Sequence, residues 1–171
     1  MAVLPIIKLG HPTLRKRADE IDTVDESVRE LVENLIDTMR LNEGIGLAAP
    51  QVNVLQRLFV IDLEQIDENL SPRAYINPRI LSSSGSEMME EGCLSIPNVR
   101  ADVTRPEVIE VEYLNLDGKP VKETLDGLSA RVFQHELDHL NGVLFIDHIS
   151  PLQRRLLAPK LKKIREANSL V

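Results

Sequence analysis

Apolar residues recur at Val28, Leu31, Val32, Leu35, Ile36 and Met39, the i, i+3, i+4, i+7 spacing of a helix with one buried stripe. Thr23-Val24-Asp25-Glu26 ahead of them reads as a capping box, and Asn42-Glu43-Gly44 should close the helix. Beyond it the period shortens. Arg57 to Leu63 is expected as a strand, followed by a polar loop over Asp67 to Arg73. Ala74 to Leu81 is expected as an extended run interrupted at Asn77-Pro78, and Ser82 to Ser86 as a loop. Val99 to Thr104 and Val108 to Leu116 read as strands, the second with Val111 and Tyr113 alternating with Glu110 and Glu112. Asp117-Gly118 turns the chain into a further strand from Pro120 to Leu125. A second helix is expected over Gly127 to Asn141 with Gly142 as its cap, then a short strand over Val143 to Ile146. Ser150-Pro151 opens a C-terminal helix that Pro159 should kink or split. Leu4 to Leu9 is a short strand or an extended arm. The order of elements predicts an α+β fold: mostly antiparallel sheets packed around a central helix, with a C-terminal helix.

Composition narrows the class. A chain of 171 residues with 43% hydrophobic and 27% charged residues is expected to be one domain spanning 1–171, with an ordinary core. No apolar run approaches the roughly 20 residues a membrane helix needs. Met1 to Lys8 has neither the charged start nor the long apolar run of a secretory signal, and no Arg/Ser-rich transit peptide is seen. A single cysteine, Cys93, excludes an intramolecular disulfide framework and suits a cytoplasmic location. From Leu152 onward, six basic residues face one acid, a net +5, which leaves −12 on the rest of a chain whose formal charge is −7. Such a tail is either a docking face for a polyanion such as RNA or a solvated helix face.

The chemistry concentrates in Gln134-His135-Glu136-Leu137-Asp138-His139. Two histidines four apart lie on one face of a helix, so both imidazoles reach one metal ion, and Glu136 falls beside a water bound there. Metal-assisted hydrolysis needs that set plus a third ligand. Cys93 is the best candidate, because a thiolate binds divalent transition metals strongly and Gly92 permits close backbone approach. The alternative is that Cys93 is only a small buried residue. His11 and His148 lack partners at ligand spacing. The residues after His139 do not continue the metzincin pattern, and Glu166 is a poor match for the later glutamate of a thermolysin-like protease. A zinc endopeptidase and a non-catalytic, metal-stabilised binding module stay open on the helix motif alone. Gly44-Ile45-Gly46-Leu47-Ala48-Ala49-Pro50-Gln51 lets backbone pass close to a ligand or another strand, but it is no phosphate loop.

Taken together, Gly44 to Gln51, Glu91-Gly92-Cys93-Leu94-Ser95 and Gln134 to His139 resemble, in order and spacing, the three signatures of the peptide deformylase family. The resemblance covers nearly the whole chain. It implies removal of the formyl group from N-formyl-methionyl nascent peptides, with release of formate. It implies that Cys93, His135 and His139 hold the metal, and that Glu136 is the general acid/base. The side-chain amide of Gln51 and the backbone N–H of Leu94 would face the oxyanion. Ile45-Gly46 would pair with the extended substrate. Ile45, Leu128 and Val132 would wall the methionine pocket, with plain core packing the alternative for Leu128 and Val132. Glu91 is expected as a carboxylate fixing a ligand or a loop. The family further implies one Fe²⁺ per chain, replaceable by Zn²⁺, Ni²⁺ or Co²⁺, and ribosome contact through the basic C-terminal helix. No membrane association is expected, and a monomer is the default.

Overall fold

The computed structural model describes residues 2–169; Met1, Leu170 and Val171, which the one-domain and N-terminal readings include, lie outside the described residues. In chain order the elements are α1 (Glu26–Leu41), β1 (Gly46–Ala48), β2 (Leu58–Ile61), β3 (Arg73–Ser84), β4 (Glu87–Cys93), β5 (Ile96–Arg105), β6 (Val108–Leu114), β7 (Pro120–Asp126), α2 (Gly127–Leu140) and α3 (Pro151–Asn168). An antiparallel five-stranded sheet has the order β1-β2-β3-β6-β7, and β4 pairs with β5 in a second sheet. The fold is α+β, as the pattern predicts. Among the described residues no helix is long and apolar enough to cross a membrane.

Period-2 alternation in β2 and β3 builds two cores at once. Phe59, Ile61 and Tyr75 pack with Phe133 and Leu140 of α2. The intervening Leu58, Val60, Ala74 and Ile76 pack with Val28, Val32, Leu35 and Met39 of α1. The sheet is thus covered on both faces at β2 and the start of β3, where the chain reads as continuous apolar runs, while β6 alternates between buried and more exposed positions. A third core joins Val99, Ala101 and Val103 of β5 to Phe145, Ile146 and Leu161, with Leu157 and Ile164 of α3 against it.

Several local expectations change. The N-cap of α1 is Asp25, whose carboxylate accepts from the Val28 N–H at 3.1 Å, and not Thr23; an aspartate caps as well as a threonine and sits at the turn itself. Val143 to Ile146 is not a strand. Phe145–Asp147 is a 3-10 turn, closed by the Asp147 side chain accepting from the Leu144 N–H at 3.0 Å. Ser82 to Ser84 continue β3 by pairing with β6. Asn77 does interrupt that strand. It takes a left-handed φ of 48°, its side chain grips both backbone polar groups of Ile21, and the register with β6 shifts after Ile76. Leu4 to Leu9 is an arm: Ile7 and Leu9 donate at 2.8 Å to the carbonyls of Gln51 and Ser95. Pro159 does not split α3, which runs through it, since Pro159 and Arg155, whose carbonyl loses its partner, both face solvent.

The C-terminal end of α2 is fixed with particular care. Asn141 caps it and Gly142 turns the chain at φ +74°, where an added Cβ would lie 2.6 Å from the Arg15 carbonyl. The buried Arg57 guanidinium donates at 3.0 Å to the Leu140 carbonyl and at 3.0 Å to the Asn141 side chain. A cation therefore stands at the negative end of the helix that carries both histidines.

Candidate active site

The three cores meet at one cavity of about 570 Å³. Ile45 and Val132 belong to the first core, Leu94 to the second and Cys93 to the third. Of the residues singled out in the sequence, Ile45, Gly46, Gln51, Glu91, Cys93, Leu94, Leu128, Val132, His135 and Glu136 all line this cavity. His139 lies just behind it. The ligand atoms of Cys93, His135 and His139 are all within 4.8 Å of one another.

Each side chain is aimed by its element. Cys93 ends β4, and its Sγ is 3.4 Å from His139 Nε2. Helical spacing sets His135 and His139 on the same face, with ring centroids 5.2 Å apart. Gln51 lies in the 3-10 turn Ala49–Val52. Its Oε1 accepts from the Ala48 N–H at 2.9 Å, while Nε2 donates to Ser95 Oγ at 3.1 Å and reaches Cys93 Sγ at 3.5 Å. Leu94 occupies the turn after Cys93, on the cavity wall. The close approach that Gly46 permits is to a carboxylate: a Cβ there would lie 2.7 Å from Glu136 Oε2. Leu128 is partly exposed at the mouth, and Val132 is buried one turn deeper. Neither His11 nor His148 joins the cluster. His11 caps a 3-10 turn through Nδ1, and His148 bonds Asp138 at 2.9 Å.

The electrostatics are uneven. Burial alone would raise the pKa of Glu91, but hydrogen bonds from His135 and Arg105 outweigh it and hold the carboxyl far below its usual range. Glu136 has no such partners; burial pushes it up to about 7, and its Oε1 has no hydrogen bond. Burial opposes charge on His135, yet Cys93, Glu91 and Glu136 around it raise its pKa well above the usual value. His139 is held well below, by burial and by the charges of His135 and Arg105. Sulfur with two imidazole nitrogens is a donor set that divalent transition metals accept.

Sequence reasoning missed the groups behind Glu91. Arg105 and Arg131 are both buried and both donate to it. A signal existed: alternation along Val99, Ala101, Val103 puts Arg105 on the inward face, where a charge needs a buried partner.

A family model described as polypeptide deformylase matches residues 3–155. The chain belongs to the peptide deformylase family. It is 46% identical over 165 residues to the peptide deformylase of Brucella suis, covering 96% of this chain and 94% of that one. To the Thermotoga maritima peptide deformylase it is 49% identical over 156 residues, with 91% and 92% covered. Among solved structures, a Synechococcus elongatus peptide deformylase in complex with actinonin superposes with a TM-score of 0.87 at 45% identity, covering 92% of this chain and 87% of that one. The Thermotoga maritima peptide deformylase structure gives 0.83 at 47% identity, covering 88% and 100%. A peptide deformylase is a hydrolase, and the family's reaction is removal of the N-formyl group from newly made peptides. The peptide deformylase family is metal-dependent, and Cys93, His135 and His139 form a possible metal site.

Proposed function

We propose that the cavity hydrolyses the formyl amide of N-formyl-methionyl nascent peptides to formate and a free amine, with the metal held by Cys93, His135 and His139. The observation that carries this is the convergence of one sulfur and two imidazoles beside a buried, unpaired carboxylate oxygen. The metal, when bound, supplies Lewis acidity that lowers the pKa of a coordinated water to about 7. The remaining work falls to the chain. Glu136 takes a proton from the attacking water and returns it to the departing nitrogen; a carboxyl poised near 7 is matched to both tasks. The Gln51 amide, held at its other end by Ala48, and the Leu94 backbone N–H donate to the oxyanion. Glu91 accepts from His135 Nδ1 at 2.8 Å, which fixes the tautomer and leaves Nε2 free to ligate.

Substrate binding follows from the edge position of β1. An extended peptide adds to it at Ile45-Gly46 by main-chain hydrogen bonds, which are indifferent to sequence, while Ile45, Leu128 and Val132 take the methionine side chain. Fe²⁺ is the ion we assign, one per chain, with Zn²⁺, Ni²⁺ or Co²⁺ able to substitute. The protein acts in the cytoplasm as a monomer, a single domain over 1–171. Lys160, Lys162, Lys163 and Arg165 of α3 contact ribosomal RNA phosphates. Because Leu161 of α3 is buried in the third core, charge reversal at the exposed Lys162 and Lys163 tests that contact better than deletion of the helix; unchanged salt-dependent ribosome co-sedimentation would remove it. The central test couples metal analysis of anaerobically purified protein to formate release from a formyl-methionyl tripeptide and its acetylated control. Formate from the first alone, in proportion to bound metal, is the expected result; none from either sinks the proposal.

A further inference from the structure

The metal-ligand reading leaves unexplained why a carboxylate on β4 is gripped by two buried guanidinium groups. Both oxygens of Glu91 are fully used. Oε1 meets His135 Nδ1 at 2.8 Å and Arg105 Nη2 at 3.0 Å; Oε2 accepts from Arg105 Nε at 2.7 Å and from Arg131 Nη1 at 2.7 Å. With every acceptor position engaged, the plane of the carboxylate cannot turn. The two arginines differ in what they hold. Arg131 rides on α2, one turn before His135, and moves with it. Arg105 comes from β5, and its third nitrogen, Nη1, donates at 2.9 Å to Asp138, the residue before His139. One guanidinium therefore sets the sheet strand that presents Glu91 and the helix turn that presents both imidazoles in a single frame.

We propose that Arg105 is a positioning residue for the metal site, acting through Glu91 on His135 and through Asp138 on the helical turn of His139. The inference rests on the reading of Cys93, His135 and His139 as metal ligands. It assigns Arg105 no contact with substrate. Its requirement is the planar fork: a lysine keeps the charge but satisfies one carboxylate at a time, so the ring of His135 loses its fixed setting. Metal sites tolerate only about 0.5 Å or 10–20° of such drift.

The test uses Co²⁺ alone as probe, with affinity read by competition against a chelator and ligand geometry read from the visible absorption of the bound ion. Arg105→Lys should lower Co²⁺ affinity by about 10–100-fold and alter the absorption bands. Glu91→Gln should cost a similar factor, and the double variant clearly less than the product of the two losses, because both share the path through Glu91. Arg79→Gln, on an exposed ion pair, should leave both readouts unchanged. If Arg105→Lys does not fold, Asp138→Asn, which strips the same guanidinium of its second carboxylate, replaces it with the same expectations. Unchanged affinity and bands in the folded variant, or losses that multiply in the double variant, overturn the proposal. If the wild-type chain itself fails to bind Co²⁺, the proposed metal site falls; if it binds and only the variants are silent, the role of Arg105 alone falls.

Discussion

In the five-stranded sheet, contact with α2 is made by Phe59 and Tyr75 against Phe133 of the helix, with ring centroids 5.1 and 5.4 Å apart. In the two-stranded sheet, contact with the same helix is made by Glu91 on β4 and Arg105 on β5, against Arg131 and Asp138. One side of α2 is thus set by shape and the other by charge. Apolar packing is strong but tolerant: side chains of similar volume exchange at modest cost. A buried ion cluster adds little net stability, yet it admits one arrangement, because any member left alone is an uncompensated charge. The chemistry lies on the charged side, where fixed orientation matters more than adhesion.

The sharpest way to divide the two sides is to remove chemistry without touching either. Glu136→Gln should reduce kcat by about 10²–10⁴ while metal content and melting temperature stay near wild type; steady-state formate release with metal analysis reads both. Glu91→Gln keeps the shape but leaves Arg105 and Arg131 facing a neutral amide, and should cost about 3–5 kcal/mol in denaturant unfolding. Ile61→Val, in the core shared with Phe133, makes the matching small change on the apolar side and should cost about 0.5–1.5 kcal/mol by the same measurement. If the two losses are equal, the contrast between charge and shape fails.

The smallest effect belongs to the surface. Burial would raise the pKa of Asp147, but Arg15, at 2.6 Å, and the Leu144 N–H hold it below the usual aspartate value. A lowered folded-state pKa contributes stability above the unfolded pKa, which is lost as pH falls through the folded one. Both side chains are substantially exposed, so Asp147→Asn should cost no more than about 1 kcal/mol at neutral pH. The difference from wild type should vanish in strongly acidic buffer, as unfolding followed against pH will tell.

The same contrast explains which parts of the molecule are legible in its sequence. The elements placed by apolar period, α1, α2, β2 and the β6–β7 hairpin, stand where the pattern puts them, with ends moved by a residue or two. Glu87–Cys93 carries no such signal: its inward position is filled by Glu91, whose partners are 14 and 40 residues away. Ser82 to Ser84 are strand only because β6 lies beside them. Phe145 and Ile146 look like strand and are instead a turn closed by Asp147. In the site, the pairing of His135 with His139 follows from helical geometry alone. That Cys93 is near them depends on β4 lying against α2, a contact made by charges; the alternation of β5 turns Arg105 inward, but no periodicity names its partners Glu91 and Asp138.

The N-terminal arm has a consequence for handling the protein. Its hydrogen bonds to the carbonyls of Gln51 and Ser95 buckle together two loops whose side chains also touch, at 3.1 Å. A protease cut ahead of Leu9 releases that buckle and frees Leu4 and Ile6 from the edge of the α1 core, while Leu9 stays in the third core. Preparations nicked there will therefore lose turnover and unfold somewhat more readily than the uncut chain.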